Sequence, residues 1–314
     1  MNMKPTRDGY GEALLSLGQS NPDVVVLDAD LSTSTRTNWF AAEYPDRFFD
    51  MGIAEQDMLG TAAGLSLGGK IPFVTTYGVF VAGRAWDQIR TTICYANLNV
   101  KIGGAHGGIS VGADGATHQA LEEIALMRVL PNMRLIVPCD SIEARKATLA
   151  AAAVRGPVYL RFAREATPVF TREEDEFELG RANMLREGSD VSIIACGPIV
   201  YEALMAAEEL AGEGISCRVI NMHTIKPLDT EAVLAAAAET GAIVTAEEHQ
   251  INAGLGGAVA EVLVREHPVP VEMVAVMDKF GESGSPDELM AAYGLTRKEI
   301  GEAVRKVLAR KNRV

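Results

Sequence analysis

Apolar residues along this chain recur in two alternating textures. Short runs rich in Val, Ile and Phe alternate with longer stretches in which apolar positions return every three or four residues. The short runs predict strands at 24–28, 48–50, 71–75, 100–103, 134–137 and 158–161, and the longer ones predict helices over 8–18, 54–67, 79–96, 119–129 and 142–153. Alternation of this kind predicts a mostly parallel sheet covered by helices on both faces. The texture breaks at TREEDEFE, residues 171–178, which is acidic and carries no apolar period. Alternation then resumes, with strands expected at 191–196, 216–221, 242–246 and 271–276 and helices at 199–211, 231–239, 256–265 and 297–309. The expected fold is therefore α/β in two domains: a parallel-sheet domain over 1–168, a linker with the first edge of the next domain over 169–184, and a smaller α/β domain over 185–314.

Composition narrows the function classes. The 314 residues suit two domains at roughly 100–200 residues each. A hydrophobic content of 48% and a mean hydropathy of +0.09 exclude a disordered chain. Twenty-nine basic against 42 acidic residues leave a net charge of −13, which argues against nucleic-acid or anionic-membrane partners. No apolar run approaches the roughly 18 residues of a membrane helix, and the first twelve residues carry no apolar leader core. Cys94, Cys139, Cys196 and Cys217 form no CxxC pair, so they read as small buried hydrophobes in a reducing, cytoplasmic protein.

The chemistry concentrates in GGAHGGISVGADGATHQ, residues 103–119, which places His106, Asp114 and His118 among six glycines. It follows an expected strand, and ligands of parallel α/β sheets bind at the carboxyl ends of strands. Glycines lose much backbone entropy on folding, so such a loop is a poor stabiliser and reads as functional. The alternative is a turn whose His and Asp only bond the backbone. His-x7-Asp-x3-His also offers three metal ligands, but zinc sites use tighter pairs and a fourth ligand is missing, so no metal is assigned to this chain. Glu55, at the start of an expected helix, reads by itself as a first-turn carboxylate favoured by the helix dipole. Tyr77 and Phe80 read as a core aromatic pair, and Arg7 and Arg164 as solvated cations. EEHQINAGLGG, residues 247–257, has neither the G-x-G-x-x-G order nor a GK[ST] ending, so it predicts no nucleotide site.

In this order, PTRDGYGEAL, LDADLSTST, DMGIAEQ, TYGVFVAGRAWDQIR, AHGGISVGADGATHQ, YLRFAR and EEHQINAGLGG resemble transketolase, the thiamine-diphosphate enzyme of sugar phosphate metabolism. The resemblance spans the family's pyrimidine-binding and C-terminal domains. The GDG…N motif of the diphosphate-binding domain, which holds a divalent metal, is not found here, and Met1 falls directly before the pyrimidine domain. The resemblance thus implies the C-terminal subunit of a split transketolase. An N-terminal subunit would carry thiamine diphosphate's diphosphate and its metal, Mg or Ca, with two copies of each chain assembled.

By the same resemblance Glu55 bonds N1′ of the aminopyrimidine, and Tyr77 and Phe80 pack on that ring. A third family aromatic falls at Val74, beside Phe73. Asp30 lies near the cofactor. Asp114 reads a substrate hydroxyl, and His106 and His118 bind sugar hydroxyls and assist proton transfer, work that an imidazole of pKa near 6.5 suits. Arg7, Ser34 and Arg164 hold the sugar's phosphate, which guanidinium forks match well. The implied reaction moves a two-carbon ketol unit from a ketose phosphate to an aldose phosphate.

Two relatives share the architecture. Deoxyxylulose phosphate synthase has the GADGxTHQ segment but usually lacks a histidine at the place of His106. The beta subunit of 2-oxo-acid dehydrogenases usually lacks DGxTHQ. A reading from another class, a non-catalytic assembly partner, would be favoured by loss of Glu55 or of the His/Asp loop, and both are present.

Overall fold

The computed structural model describes residues 2–312. Every strand the apolar runs predict is present. Seven strands form the first sheet, in the order Thr224–Lys226, Arg134–Ile136, Val158–Phe162, Lys101–Ala105, Ile71–Tyr77, Val24–Asp28, Phe48–Asp50. All pair in parallel except the edge strand Thr224–Lys226, which the second half of the chain contributes antiparallel to Arg134–Ile136. The second sheet runs Val271–Val276, Ile243–Gln250, Val191–Ala195, Cys217–Asn221, Asn183–Arg186, with only the last strand antiparallel.

Central strands are buried on both faces. Val24–Asp28, Lys101–Ala105 and Val158–Phe162 are buried at every position. That is why they read as continuous rather than alternating apolar runs. Neighbouring residues still serve opposite faces. Phe73 packs with Tyr10, while Val74 joins Leu27, Met58 and Ile102 on the other side. The Val74 core continues into the second domain through Ile220, Met222, Ile225 and Leu255. The two sheets thus share one buried apolar layer.

On the other face, helix Thr6–Ser20 packs closely on helix Ser141–Ala153. Gly9 permits this approach, since a Cβ there would sit 1.9 Å from the Ser141 carbonyl oxygen. Asp140 caps the second helix by accepting from Glu143 N–H at 3.0 Å.

Two expected helices are shorter than their apolar period suggests. The stretch expected at 79–96 divides into helix Gly78–Arg84 and a π-helical turn Gln88–Cys94. The indole N–H of Trp86, between them, is drawn to the carbonyl of Leu126. The helix expected from 119 begins at Glu123, because the backbone of Ala120 and Leu121 is committed to Gly108 and Gln250 instead. The four cysteines are free and buried.

Candidate active site

Strand ends and helix starts bring the sequence-selected residues to one edge of the first sheet. Tyr77 ends strand Ile71–Tyr77, His106 follows Lys101–Ala105, and Arg164 lies two residues beyond Val158–Phe162. Arg7 and Glu55 stand in the first turns of helices Thr6–Ser20 and Glu55–Leu67. This is the crevice where parallel sheets bind ligands.

Four rings form the centre. The Tyr77 ring stacks on His106 with centroids 3.9 Å apart and on Phe80 at 5.7 Å. His118 meets Tyr77 and Phe80 edge-on, at 5.9 and 5.4 Å. Tyr77 and Phe80 are thus more than a core pair, because they carry both loop histidines.

His106 is buried, left-handed at φ +59°, and its Nδ1 has no partner. Burial first, then the nearby cations Arg7 and Arg164, push its pKa down to about 3. The ring is therefore neutral at pH 7. The ordinary imidazole value near 6.5 is thus lowered in this chain by burial and by the surrounding cations. His118 Nδ1 lies 2.9 Å from the Thr117 hydroxyl.

Arg164 donates to Asp114 Oδ2 at 2.9 Å and to the Val111 carbonyl at 3.2 Å, with Glu165 at 3.4 Å. It ties Asp114 to the end of the strand rather than merely facing solvent. Arg7 donates to the Ser34 carbonyl at 2.9 Å and keeps a buried Nε without a partner. Its pKa is lowered by burial and then by Arg36. Arg36, which no motif singles out, is pinned by Asp8 at 2.7 Å and adds a cation to the Arg7–Arg164 side of the site. It sits at φ +71° between two short helices.

Glu55 is buried and pairs with Arg84 at 3.2 Å, and the Arg84 guanidinium lies 4.5 Å from the Phe80 ring centre. Asp30 is exposed; the engaged carboxylate is its neighbour Asp28, which accepts from Leu31 N–H and from the Thr35 and Thr37 hydroxyls. Those bonds shape the loop that carries Ser34 and Arg36. Phe73 lies in the core against Tyr10, and Val74 faces the other side of the sheet.

The second domain braces the His/Asp loop. The Glu248 carboxylate accepts from Ser110 N–H at 2.6 Å, and Gln119 Nε2 donates to the carbonyls of Ile109 and Glu282. Gly108, at φ +101°, is required twice over, since a Cβ there would lie 2.2 Å from Glu248 Oε1. Beneath, the buried Arg161 bonds Glu123 and the Glu248 carbonyl. Arg161 and Glu248 stand in the runs YLRFAR and EEHQINAGLGG, but nothing in those runs singled out either residue. Among the described residues, no group of three or more His, Cys, Asp and Glu side chains could hold a metal ion, and no helix is long and apolar enough to cross a membrane.

Fold and site together describe a two-domain α/β chain with a candidate binding crevice on its first sheet. The transketolase pyrimidine-binding domain matches residues 2–169 and the transketolase C-terminal domain residues 180–300. The chain belongs to the transketolase family. It is 46% identical to the 6-deoxy-6-sulfo-D-fructose transketolase subunit of Clostridium sp. (strain MSTE9), over 98% of this chain and 95% of that protein. It is 41% identical to a subunit of the apulose-4-phosphate transketolase of Phocaeicola vulgatus, over 95% of this chain and 96% of that protein. A solved split-gene transketolase, described as an inactive beta4 tetramer, superimposes with a TM-score of 0.92 at 52% identity, covering 98% of this chain and 99% of that one.

Proposed function

We propose that this chain is one subunit of a two-chain, thiamine-diphosphate-dependent transketolase that moves a two-carbon ketol unit from a ketose phosphate to an aldose phosphate. The observation that carries the reading is the convergence of the buried Glu55, the Tyr77–Phe80 shelf and the His106–Asp114–His118 loop on one strand-end crevice. A flat cation already rests on Phe80 while bonding Glu55, so a flat aminopyrimidine fits the same place.

When bound, thiamine diphosphate supplies the carbanion chemistry that takes up and releases the two-carbon unit. Glu55 binds and holds a proton at N1′ of the aminopyrimidine. Phe80 and Tyr77 orient its ring. The neutral ring of His106 holds a sugar hydroxyl, His118 holds another, and Asp114, fixed by Arg164, reads a third. Arg7 and Arg164 receive the sugar's terminal anion beside Ser34. Arg36 strengthens the positive field there. The two similar subunits are named for a sulfonated and a phosphorylated sugar, and guanidinium forks serve either anion. The diphosphate and its divalent metal, Mg or Ca, belong to an N-terminal partner subunit, two copies of each chain making the active enzyme. The reading places this assembly in the cytoplasm.

The test mixes the purified chain with a partner chain carrying GDG…N and assays ketol transfer against pyruvate-dependent condensation. Ketol transfer by the pair, and none by this chain alone, is expected. Pyruvate-dependent activity would move the assignment to a deoxyxylulose-type enzyme, and turnover by this chain alone would refute the two-chain reading. Arg164→Ala is expected to raise KM for phosphorylated sugars about 10- to 150-fold, for a charge-assisted bond of roughly 1.5–3 kcal/mol. Hydroxypyruvate with glycolaldehyde is expected to shift far less. Equal shifts in both would remove Arg164 from anion binding.

A further inference from the structure

Arg84 is placed oddly for a surface arginine. Its side chain is 55% exposed, yet it bonds a carboxylate that is almost fully buried, Glu55 Oε1 at 3.2 Å. Its guanidinium also covers the Phe80 ring, with Cζ 4.5 Å from the centroid. The backbone of Arg84 is held separately, its carbonyl accepting from Gln56 Nε2 at 3.0 Å. Among the described residues the head group is anchored by a carboxylate and an aromatic face, while its main chain is held by Gln56.

A guanidinium is a flat, delocalised group with N–H donors along one edge. An aminopyrimidine protonated at N1′ is the same kind of object: a flat π-system presenting an N–H to a carboxylate. Both would use the same two protein surfaces, the Phe80 face and the Glu55 oxygen. Both cannot use them together.

We propose that Arg84 is a positioning residue of the cofactor pocket: its guanidinium stands where the aminopyrimidine comes to lie, keeps Glu55 and Phe80 in binding geometry, and swings outward when the ring enters. The Arg84 head group itself is open to solvent, so it can exchange its two contacts for water and is displaceable. The fixed backbone gives it a constant pivot.

The inference rests on the cofactor reading above, and the experiment separates the two. The chain and its partner subunit are assembled, and thiamine diphosphate is titrated in calorimetrically, for the wild type, Arg84→Ala and Arg84→Lys. Removing the stand-in is expected to tighten cofactor binding about tenfold in Arg84→Ala, about 1.4 kcal/mol. Arg84→Lys keeps the charge but not the plane, and is expected to fall between. A residue that only supports the fold or neutralises Glu55 would instead weaken binding when lost. Unchanged or weaker binding by Arg84→Ala, with the wild type still binding, overturns the stand-in and leaves the pocket assignment intact. Failure of the wild-type assembly to bind overturns the cofactor reading, and this inference with it. Melting temperatures of the three chains show that each is folded.

Discussion

The imidazole of His106 shows how position alters what a side chain can do. Its spacing within AHGGISVGADGATHQ marks it as a site residue, but only the fold shows that it is buried against Tyr77 and among arginines. With its folded pKa at about 3 and an unfolded value near 6.5, the unfolded chain binds more protons than the folded one between those pH values. Stability contributed by neutral His106 is therefore complete above about pH 6.5 and is lost as pH falls toward 3. His106→Asn, in which Asn tolerates the left-handed backbone, is expected to flatten the loss of stability on acidification, by at most about 1.4 kcal/mol per pH unit. Urea unfolding of both proteins between pH 7 and 4 checks this; parallel curves would show that His106 is not the acid-sensitive group. Burial pushes His223 down to about 4 as well, and that contribution stays in both proteins. Glu55, Tyr77, Phe80 and Arg164 were legible because each stands in a recognisable run. Arg36 was not, because its place is set by an unusual backbone angle and by Asp8 on another helix; Arg84 and Asp28 stand in recognisable runs too, but the runs do not tell which partners those side chains take.

Elements followed the apolar pattern where burial was local, and departed from it where one residue serves two structures. Asp140 is such a residue. It caps helix Ser141–Ala153 through Glu143 N–H, and it also accepts from Phe170 N–H at 2.9 Å, Thr171 N–H at 2.7 Å and the Thr171 hydroxyl at 2.8 Å. The chain leaving the first domain is thereby fastened to a helix start. An ordinary cap contributes about 1 kcal/mol. Asp140→Ala is expected to cost on the order of 3 kcal/mol, because the other donors also lose their acceptor. Denaturant unfolding measures the loss, and limited proteolysis is expected to show faster cleavage near residues 171–178. A cost no larger than that of a plain cap would mean the acidic segment is held by other contacts. The shortened helix at Glu123–Arg128 has the same origin, since helix propensity upstream gave way to backbone bonds with Gly108 and Gln250.

At the scale of the whole molecule the two domains are distinct sheets but not separable bodies. The second domain lends strand Thr224–Lys226 to the first sheet and braces the His/Asp loop through Glu248. Asn221 Nδ2 also donates to the buried Glu143 carboxylate at 2.7 Å. Burial pushes the Glu143 carboxyl up to about 7, so this contact depends on staying dry and paired. A fragment ending at residue 178 would expose Ile136 at a raw sheet edge, take Asn221 from Glu143 and take the Glu248 carbonyl from Arg161. It is expected to lack the near-ultraviolet circular dichroism and the cooperative urea transition of the full chain. A cooperative transition in the fragment would show that the first domain folds independently.

Apolar periodicity alone determined the central strands, the alternation with helices and the two-sheet architecture, because those depend on burial of nearby residues; the edge strands Thr224–Lys226 and Asn183–Arg186 carry no such signal. Motif spacing alone brought forward the loop of His106, Asp114 and His118, because a strand end followed by glycines has few uses other than a site. Only the tertiary structure decided that His106 is neutral, that Asp28 accepts from Thr35 and Thr37, that Arg84 covers Phe80 while bonding Glu55, and that Glu248, far along the chain, accepts from Ser110 N–H. Each of these depends on desolvation or on side-chain geometry that spacing along the chain does not give. Neither is written in the neighbours of a residue; both exist only once the sheet has brought its strand ends together.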